Sequence, residues 1–303
     1  MALLESVLTG AVSGGTSILF ATLGETVSER SGVINLGTEG SMLVGALAAY
    51  AVGVETGNPW IGVLAGLIAG AALSAVHAGL VLHRKSNQIA TGLGVTFLAL
   101  GLTALFGQDY VGEGVKELPN WNIPGLHGIP FVGPILFEHD PLTYLSFFAG
   151  PALWFLLFRS RFGLKLRAAG EHPTVLEVYG TSATKIRWLA VLMGGALAGL
   201  GGAQLSTAFT RNWSEGMTVG RGFVAVGLVI FAGWNPLKAV LGAYLFSGAI
   251  ALQLQLQARG WTLSPYLLQS LPYVAVLVVL AVLSRRRAHG GPASLSRVFE
   301  AAT

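Results

Sequence analysis

Glu25-Thr26-Val27-Ser28-Glu29-Arg30-Ser31-Gly32-Val33-Ile34-Asn35-Leu36-Gly37-Thr38-Glu39-Gly40-Ser41-Met42 is the stretch on which the reading of this chain turns. Apolar runs press on it from both sides, Leu3–Gly24 before it and Leu36–Val54 overlapping its end. Each run is about as long as a helix that crosses a bilayer. Between them lie glycine and serine breaks and several polar side chains. Glu39 is the carboxylate that the runs place firmly within a span. An ionisable group at that depth costs roughly 2.5–3.5 kcal/mol on insertion scales, so it faces a bundle interior or a water-filled path. Glycines that interrupt a helix expose backbone groups, which is tolerated only against protein or a cavity. The stretch reads either as part of a substrate path or as a tight turn. In the turn reading, Glu39 caps the next helix or pairs with Arg30.

Composition extends this reading to all 303 residues. Hydrophobic residues make up 53%, charged residues 11%, and the mean hydropathy is +0.66. A soluble globular chain is about a quarter charged, so this one could not coat a water-soluble fold of its size. There are no cysteines, which removes disulfide frameworks, zinc–thiolate clusters and thiol catalysis together. The 42 glycines suit membrane helices, where small residues let backbones approach. Met1–Glu5 carries no positive charge ahead of an apolar run, so no cleaved signal peptide is expected.

Further apolar runs extend the count to nine spans: Pro59–Leu82, Gln88–Gly107, Leu142–Phe158, Trp188–Ala208, Gly222–Gly233, Leu237–Gln257 and Pro265–Leu283 follow the first two. The seventh, Gly222–Gly233, is short enough for a half-helix or a re-entrant segment. The expected fold class is an all-α polytopic membrane protein of about 8–10 transmembrane helices, some discontinuous or re-entrant. Lys and Arg gather in the 84–85 and 159–187 loops and after the last span. Placing these inside satisfies the positive-inside rule, with fourteen of the 18 basic residues cytoplasmic and Lys116, Arg211, Arg221 and Arg259 outside. The C-terminal tail 284–303 is then cytoplasmic and the N-terminus external.

The external loop 108–141 is rich in Pro and Gly and holds Asp109, Glu113, Glu117, Glu138 and Asp140 against Lys116. It is a structured connector, a lid, or a docking surface. The cytoplasmic loop 159–187 contains Glu171-His172-Pro173-Thr174-Val175-Leu176-Glu177-Val178-Tyr179-Gly180. Pro173 suits a first helical position, and Glu171 places negative charge at the positive helix end. Val175, Val178 and Tyr179 share a face with Leu176 beside them. Gly180 can take the left-handed conformation that ends such a helix. This two-turn helix is too short to stand alone. It lies on the membrane surface or inserts into a groove on another protein.

A second glycine-broken stretch, Ser214-Glu215-Gly216-Met217-Thr218-Val219-Gly220-Arg221-Gly222-Phe223, precedes the seventh span. Paired breaks in corresponding positions point to a substrate path in repeat-built transporters. Asn35 offers both donor and acceptor to a ligand, and Trp213 and Phe223 offer stacking faces. His77 reads as a hydrogen-bonded packing residue or as a proton relay. Gly66/Gly70 and Gly195/Gly199 have the spacing of close helix contacts.

Several chemistries lack their residues. No glycine is followed by lysine, so there is no P-loop, and neither H-E-x-x-H nor G-x-S-G occurs. No basic patch is interleaved with aromatics, so no nucleic-acid partner is expected. A transport function stands above an enzymatic one. Coupling to ATP through a partner, proton-coupled secondary transport through Glu39 and His77, and a scaffold role remain open on the physics.

Three motifs carry a resemblance. Glu29–Met42 resembles the motif after the first span in permease subunits of nucleoside-type ABC importers, within the branched-chain amino acid, ribose and nucleoside permease superfamily. Gly220–Ala225 through Ile230–Pro236 is similar to the late motif of those permeases. Leu166–Pro173 with Gly194–Gly202 is similar to their cytoplasmic coupling loop and the helix after it. The resemblance implies one permease domain, 1–303, in a two-half pseudo-symmetric bundle in the bacterial plasma (inner) membrane. Its implied partners are cytosolic ATPase subunits, which hold ATP and Mg while this chain binds no cofactor. An external substrate-binding lipoprotein and a second permease, related or identical, complete the set. Glu171, His172, Pro173, Val175, Leu176, Glu177, Val178, Tyr179 and Gly180 become the ATPase-coupling helix. Asn35, Thr38, Glu39, Arg221, Phe223 and Trp213 flank the substrate path. Sugar permeases of the superfamily tend to carry aspartate where this chain has Asn35, which favours a nucleoside over ribose-type sugars. Riboflavin and branched-chain amino acids are also carried within the superfamily.

Overall fold

The computed structural model describes residues 2–260 and 291–295, with six positions between 264 and 278. Eleven helices are described: α1 (Ala2–Arg30), α2 (Thr38–Thr56), α3 (Pro59–Ala78), α4 (Gln88–Gly107), α5 (Val132–Leu136), α6 (Pro141–Arg159), α7 (Arg161–Glu171), α8 (Pro173–Val178), α9 (Ala183–Gln204), α10 (Arg221–Phe231) and α11 (Pro236–Ala258). Two-residue strands β1 (Trp121–Asn122) and β2 (Glu138–His139) pair antiparallel and close the 108–141 loop. With the turns that extend some of them, six of these helices are long and apolar enough to cross a membrane. The chain is an all-α, multi-pass membrane protein. The ninth span read from the sequence, Pro265–Leu283, falls largely outside the described residues, as does the tail 284–303 apart from 291–295.

Helix starts follow local chemistry. Asn58-Pro59, Asp140-Pro141 and Asn235-Pro236 each place a capping side chain before a proline in the first turn. Asp140 Oδ1 accepts the N–H groups of Leu142 and Thr143, and Asn235 Oδ1 accepts that of Leu237. Such caps satisfy donors that a helix leaves free, and proline has no N–H to lose there. Asn87 caps α4 in the same way through Ile89 and Ala90.

The centre of the bundle is α2 packed against α3 and α9, with α1 across α9. Glycines make this possible. A Cβ on Gly45 would stand 2.5 Å from the Gly199 Cα, and one on Gly70 would stand 2.7 Å from it. Gly66/Gly70 and Gly195/Gly199 therefore interlock, with two helices in backbone contact. α2 is buried on almost all sides, whereas α4 turns Leu93, Phe97, Leu105 and Phe106 outward.

Three boundaries differ from the sequence reading. α1 continues past Gly24 to Arg30, because Glu25 and Glu29 find buried partners and need not leave the helix. The third and sixth spans end in π-helical turns, Gly79–His83 and Leu205–Phe209. The 159–187 loop is mostly helical: Ser160 caps α7 by accepting the Gly163 N–H.

The close contact predicts an asymmetry between glycines. Gly45→Ala should cost about 1–3 kcal/mol through overpacking, read as a lowered melting temperature of the purified protein. Gly94→Ala, where a Cβ meets nothing within 4 Å, should leave melting unchanged or raise it. Equal effects at the two positions would refute the packing account.

Candidate functional site

The two broken stretches meet. Glu39, in the first turn of α2, reaches the start of α10. Its Oε1 accepts the Thr218 hydroxyl at 2.6 Å and the Gly220 N–H at 2.9 Å, and its Oε2 accepts the Gly222 N–H at 2.6 Å. The first N–H groups of a helix have no partner inside it and form its positive end. α10 has no side-chain cap of its own, and Glu39 supplies one from another helix. Gly220 sits at φ +78°, and a Cβ on Gly222 would stand 2.5 Å from the Glu39 nitrogen, so glycine is required at both. This corrects both turn readings of Glu39: it caps α10, not α2, and Arg30 instead donates to the carbonyls of Trp234 and Gly233.

α10 has eleven residues, about 16 Å at 1.5 Å per residue. That is roughly half the hydrocarbon thickness, so it is a half-helix. The turn after it, at Gly233 and Trp234, has positive φ at both residues and is held by α1.

Side chains satisfy the backbone of the first break from several directions. The Asn35 N–H donates to Glu25 Oε1 at 2.7 Å, and the Thr38 hydroxyl contacts Glu25 Oε2 and the Asn35 carbonyl, both at 2.8 Å. The Ile34 N–H donates to Gln88, its carbonyl bonds His77 Nε2, and the Leu36 carbonyl accepts the Thr96 hydroxyl. His77 thus packs and ties the turn. The Asn35 side chain is itself engaged, accepting the Gly37 N–H through Oδ1 and donating to Ser74 through Nδ2.

Of the six path residues, Glu39 and Arg221 come together, with Asn35 and Thr38 in the adjoining turn. Arg221 Nη1 donates to the Met217 carbonyl, and the side chain lines a cavity of about 120 Å³ with Phe209, Ser247 and Gln255. Phe223 lies exposed on α10. Trp213 is 2% exposed, packed among Leu43, Tyr50, Leu205 and Met217 and against Gly107. Its ring has no open face in this chain, which corrects the stacking role read for it.

Sequence reasoning treated Glu39 as the carboxylate within a span. Glu25 and Glu29 are also buried, in α1, and Trp234 Nε1 donates to Glu29 Oε2 at 2.6 Å. Their i, i+4 spacing at the end of an apolar run was the available signal.

The cytoplasmic-loop reading is refined. Glu171 ends α7 and His172 separates α7 from α8, so neither belongs to the short helix itself. Pro173 does open it, and Gly180 has φ +71° beyond its end. Leu176 is buried with Ala169 and Ala183, while Val175, Val178 and Tyr179 are exposed. Glu177 stands between them on the same short helix. Arg187 ties this region to the first break, donating to the Ser31 and Ala169 carbonyls.

The family model described as branched-chain amino acid transport system / permease component matches residues 6–283. The chain belongs to that permease family. A relative from Haloferax volcanii, named as a putative glucose ABC transporter permease, is 45% identical over 269 residues, 88% of this chain and 82% of its own. A nucleoside ABC transporter permease of Lactococcus lactis is 32% identical, over 88% of each chain. A guanosine ABC transporter permease of Bacillus subtilis is 33% identical, over 76% of each. No solved structure matches. Permease membership sets aside the secondary-transporter and scaffold alternatives.

The cap predicts a graded loss in this permease. Glu39→Ala strands three donors, each costing about 1–3 kcal/mol when buried, and should lower both melting temperature and uptake. Glu39→Gln keeps one accepting oxygen and should fall between. An alanine variant that melts like the wild type would overturn the capping role.

Proposed function

We propose that this permease is the membrane subunit of an ABC importer that moves nucleosides, taking substrate from an external binding lipoprotein. The observation that carries the substrate class is the pair of nucleoside and guanosine permease relatives, alike over most of both chains. A glucose-type sugar is the second reading, favoured by the 45% identical relative. The Asn35 argument for a nucleoside weakens, since both polar ends of that side chain are engaged inside the protein.

In this reading residues 1–303 act as one permease domain in the plasma membrane. The basic loops and C-terminus lie in the cytosol and the N-terminus outside. A second permease, related or identical, completes the pathway. ATP and Mg are held by separate ATPase subunits, and no cofactor or nucleic acid is bound here. Residues 171–180 couple to the ATPase, with Val175, Val178 and Tyr179 as the seated face: the last two are 86% and 81% exposed, an arrangement water disfavours. Glu39 and Arg221 hold the α10 half-helix beside the path, Phe223 presents an aromatic face towards it, and Asn35, Thr38 and Trp213 support the frame.

Two measurements test this. Uptake of labelled guanosine and glucose in cells with and without the gene should show gene-dependent guanosine uptake that survives a protonophore and fails when ATP is depleted. Glucose uptake alone would transfer the substrate to the second reading, and collapse with the proton gradient alone would defeat the importer itself. Separately, Val178→Asp with Tyr179→Asp should leave melting unchanged, since both are exposed, while abolishing substrate-stimulated ATP hydrolysis. Normal stimulation would refute the docking face.

A further inference from the structure

Glu25 and Glu29 stand one turn apart on α1, where i and i+4 side chains meet, and are 1% and 2% exposed. Their four oxygens can be followed singly. Glu25 Oε1 accepts the Asn35 N–H and Glu25 Oε2 the Thr38 hydroxyl. Glu29 Oε2 accepts the Trp234 indole N–H. Glu29 Oε1 is buried, and no donor among the described residues reaches it. Side chains one turn apart on a helix are neighbours, so the Glu25 carboxyl stands beside that orphan oxygen in the same buried space.

Two ionised carboxyls are acceptors only and cannot bond to one another. No cationic side chain among the described residues lies within ion-pair distance of either, the one such pair being Arg211 with Glu117. The charged and titratable groups nearby are directed elsewhere. Arg30 donates to the Trp234 and Gly233 carbonyls, and its guanidinium and that of Arg167 lie over Phe158. Arg187 donates to the Ser31 and Ala169 carbonyls. Glu171 accepts the Ala293 N–H, Glu39 serves α10, and His77 faces the Ile34 carbonyl. A metal cation would need about six oxygens around it, and one free oxygen does not begin such a shell. A proton needs only the geometry present.

We propose that Glu29 binds a proton on Oε1 and donates it to the Glu25 carboxylate, so that the buried pair carries one charge. The assignment to Glu29 follows from its having the one oxygen without a protein donor. The shared proton joins two grips: Glu25 holds the first break through Asn35 and Thr38, and Glu29 holds the turn after α10 through Trp234. Losing it would set two buried negative charges a turn apart and loosen α1 from one of these turns. The inference does not depend on which substrate is carried.

Because the folded state binds a proton that the unfolded chain releases, wild-type stability should fall as pH rises. The test uses the assembled importer, with melting and substrate-stimulated ATP hydrolysis followed from mildly acidic to mildly alkaline pH. Glu29→Gln places an amide N–H where the proton sits and keeps a carbonyl for Trp234. It should retain melting temperature and activity and flatten the alkaline fall. Glu25→Gln turns an amide N–H towards the donor of Asn35 or Thr38 and should lower both. Tolerance of Glu25→Gln with loss in Glu29→Gln would move the proton to the other carboxyl and overturn the assignment. A flat wild-type profile with both variants impaired would mean two ionised groups bridged by water or a cation, and overturn the proposal. Infrared absorption of a protonated carboxyl, shifted by labelled glutamate, gives a readout even where a variant fails to assemble. Its absence from the wild type at neutral pH would equally defeat the idea.

Discussion

A membrane protein can leave the helix at depth only where protein takes over the hydrogen bonds that water cannot supply. The Glu39 carboxylate does this for α10. A half-helix with an exposed positive end would be costly in an apolar phase, and three donors converge on one side chain from α2 to remove that cost. The rest of the architecture follows. α2 must sit at the centre for Glu39 to reach, and Gly222 must lack a side chain for α10 to approach. The turn after α10 is then secured from α1 by Arg30 and Glu29.

The bundle divides its rigidity accordingly. α2, α3 and α9 touch backbone to backbone through Gly45, Gly66, Gly70 and Gly199, leaving little room for relative motion. α4 and α6 are packed on narrower faces and turn Phe97, Phe148 and Phe155 outward. Apolar groups on such faces meet lipid or another membrane subunit at no cost, so their exposure is not a defect in the fold. Close packing at the centre and loose packing at the rim suit a frame that holds the half-helix steady while its outer elements meet partners.

Much of this was legible in the sequence. The apolar runs located the long helices because span length is set by bilayer thickness, and Asn-Pro and Asp-Pro starts fixed several boundaries. The paired glycine breaks were visible, but their direct contact was not, since it joins residues 39 and 218–222 across the fold. Glu25 and Glu29 were missed because their charge argued for ending the first span at Gly24, and only the folded chain brings Asn35, Thr38 and Trp234 to them. Trp213 was misjudged for a related reason: aromatic chemistry is readable from sequence, whereas burial against Gly107 is not. α7 was overlooked because its basic residues resemble a solvated loop, although Leu166, Ala169 and Gly170 bury one of its faces.

The contacts also bear on how motion at one end could be felt at the other. Val178 and Tyr179 are exposed, but Leu176 in the same short helix is fixed against Ala169 and Ala183. Arg187, one turn beyond Ala183 on α9, bonds both Ala169 and Ser31, so α7, α9 and the first break share one side chain. From Ser31 the turn runs to Asn35, which Ser74 and Glu25 hold, and then into α2 and Glu39. The links in this series are buried contacts, hydrogen bonds and the buried turn between α1 and α2. The series thus runs from α8 through α7, α9 and the first break into α2 and, through Glu39, to the start of α10, which packs on α1, α2 and α11. α10 meets this series at Glu39 and is held closely there, since a Cβ on Gly222 would stand 2.4 Å from the Glu39 Cα. The turn at its other end, with two positive φ values, is tied to α1 by Arg30 and Glu29, so a shift of the first break reaches both ends of the half-helix.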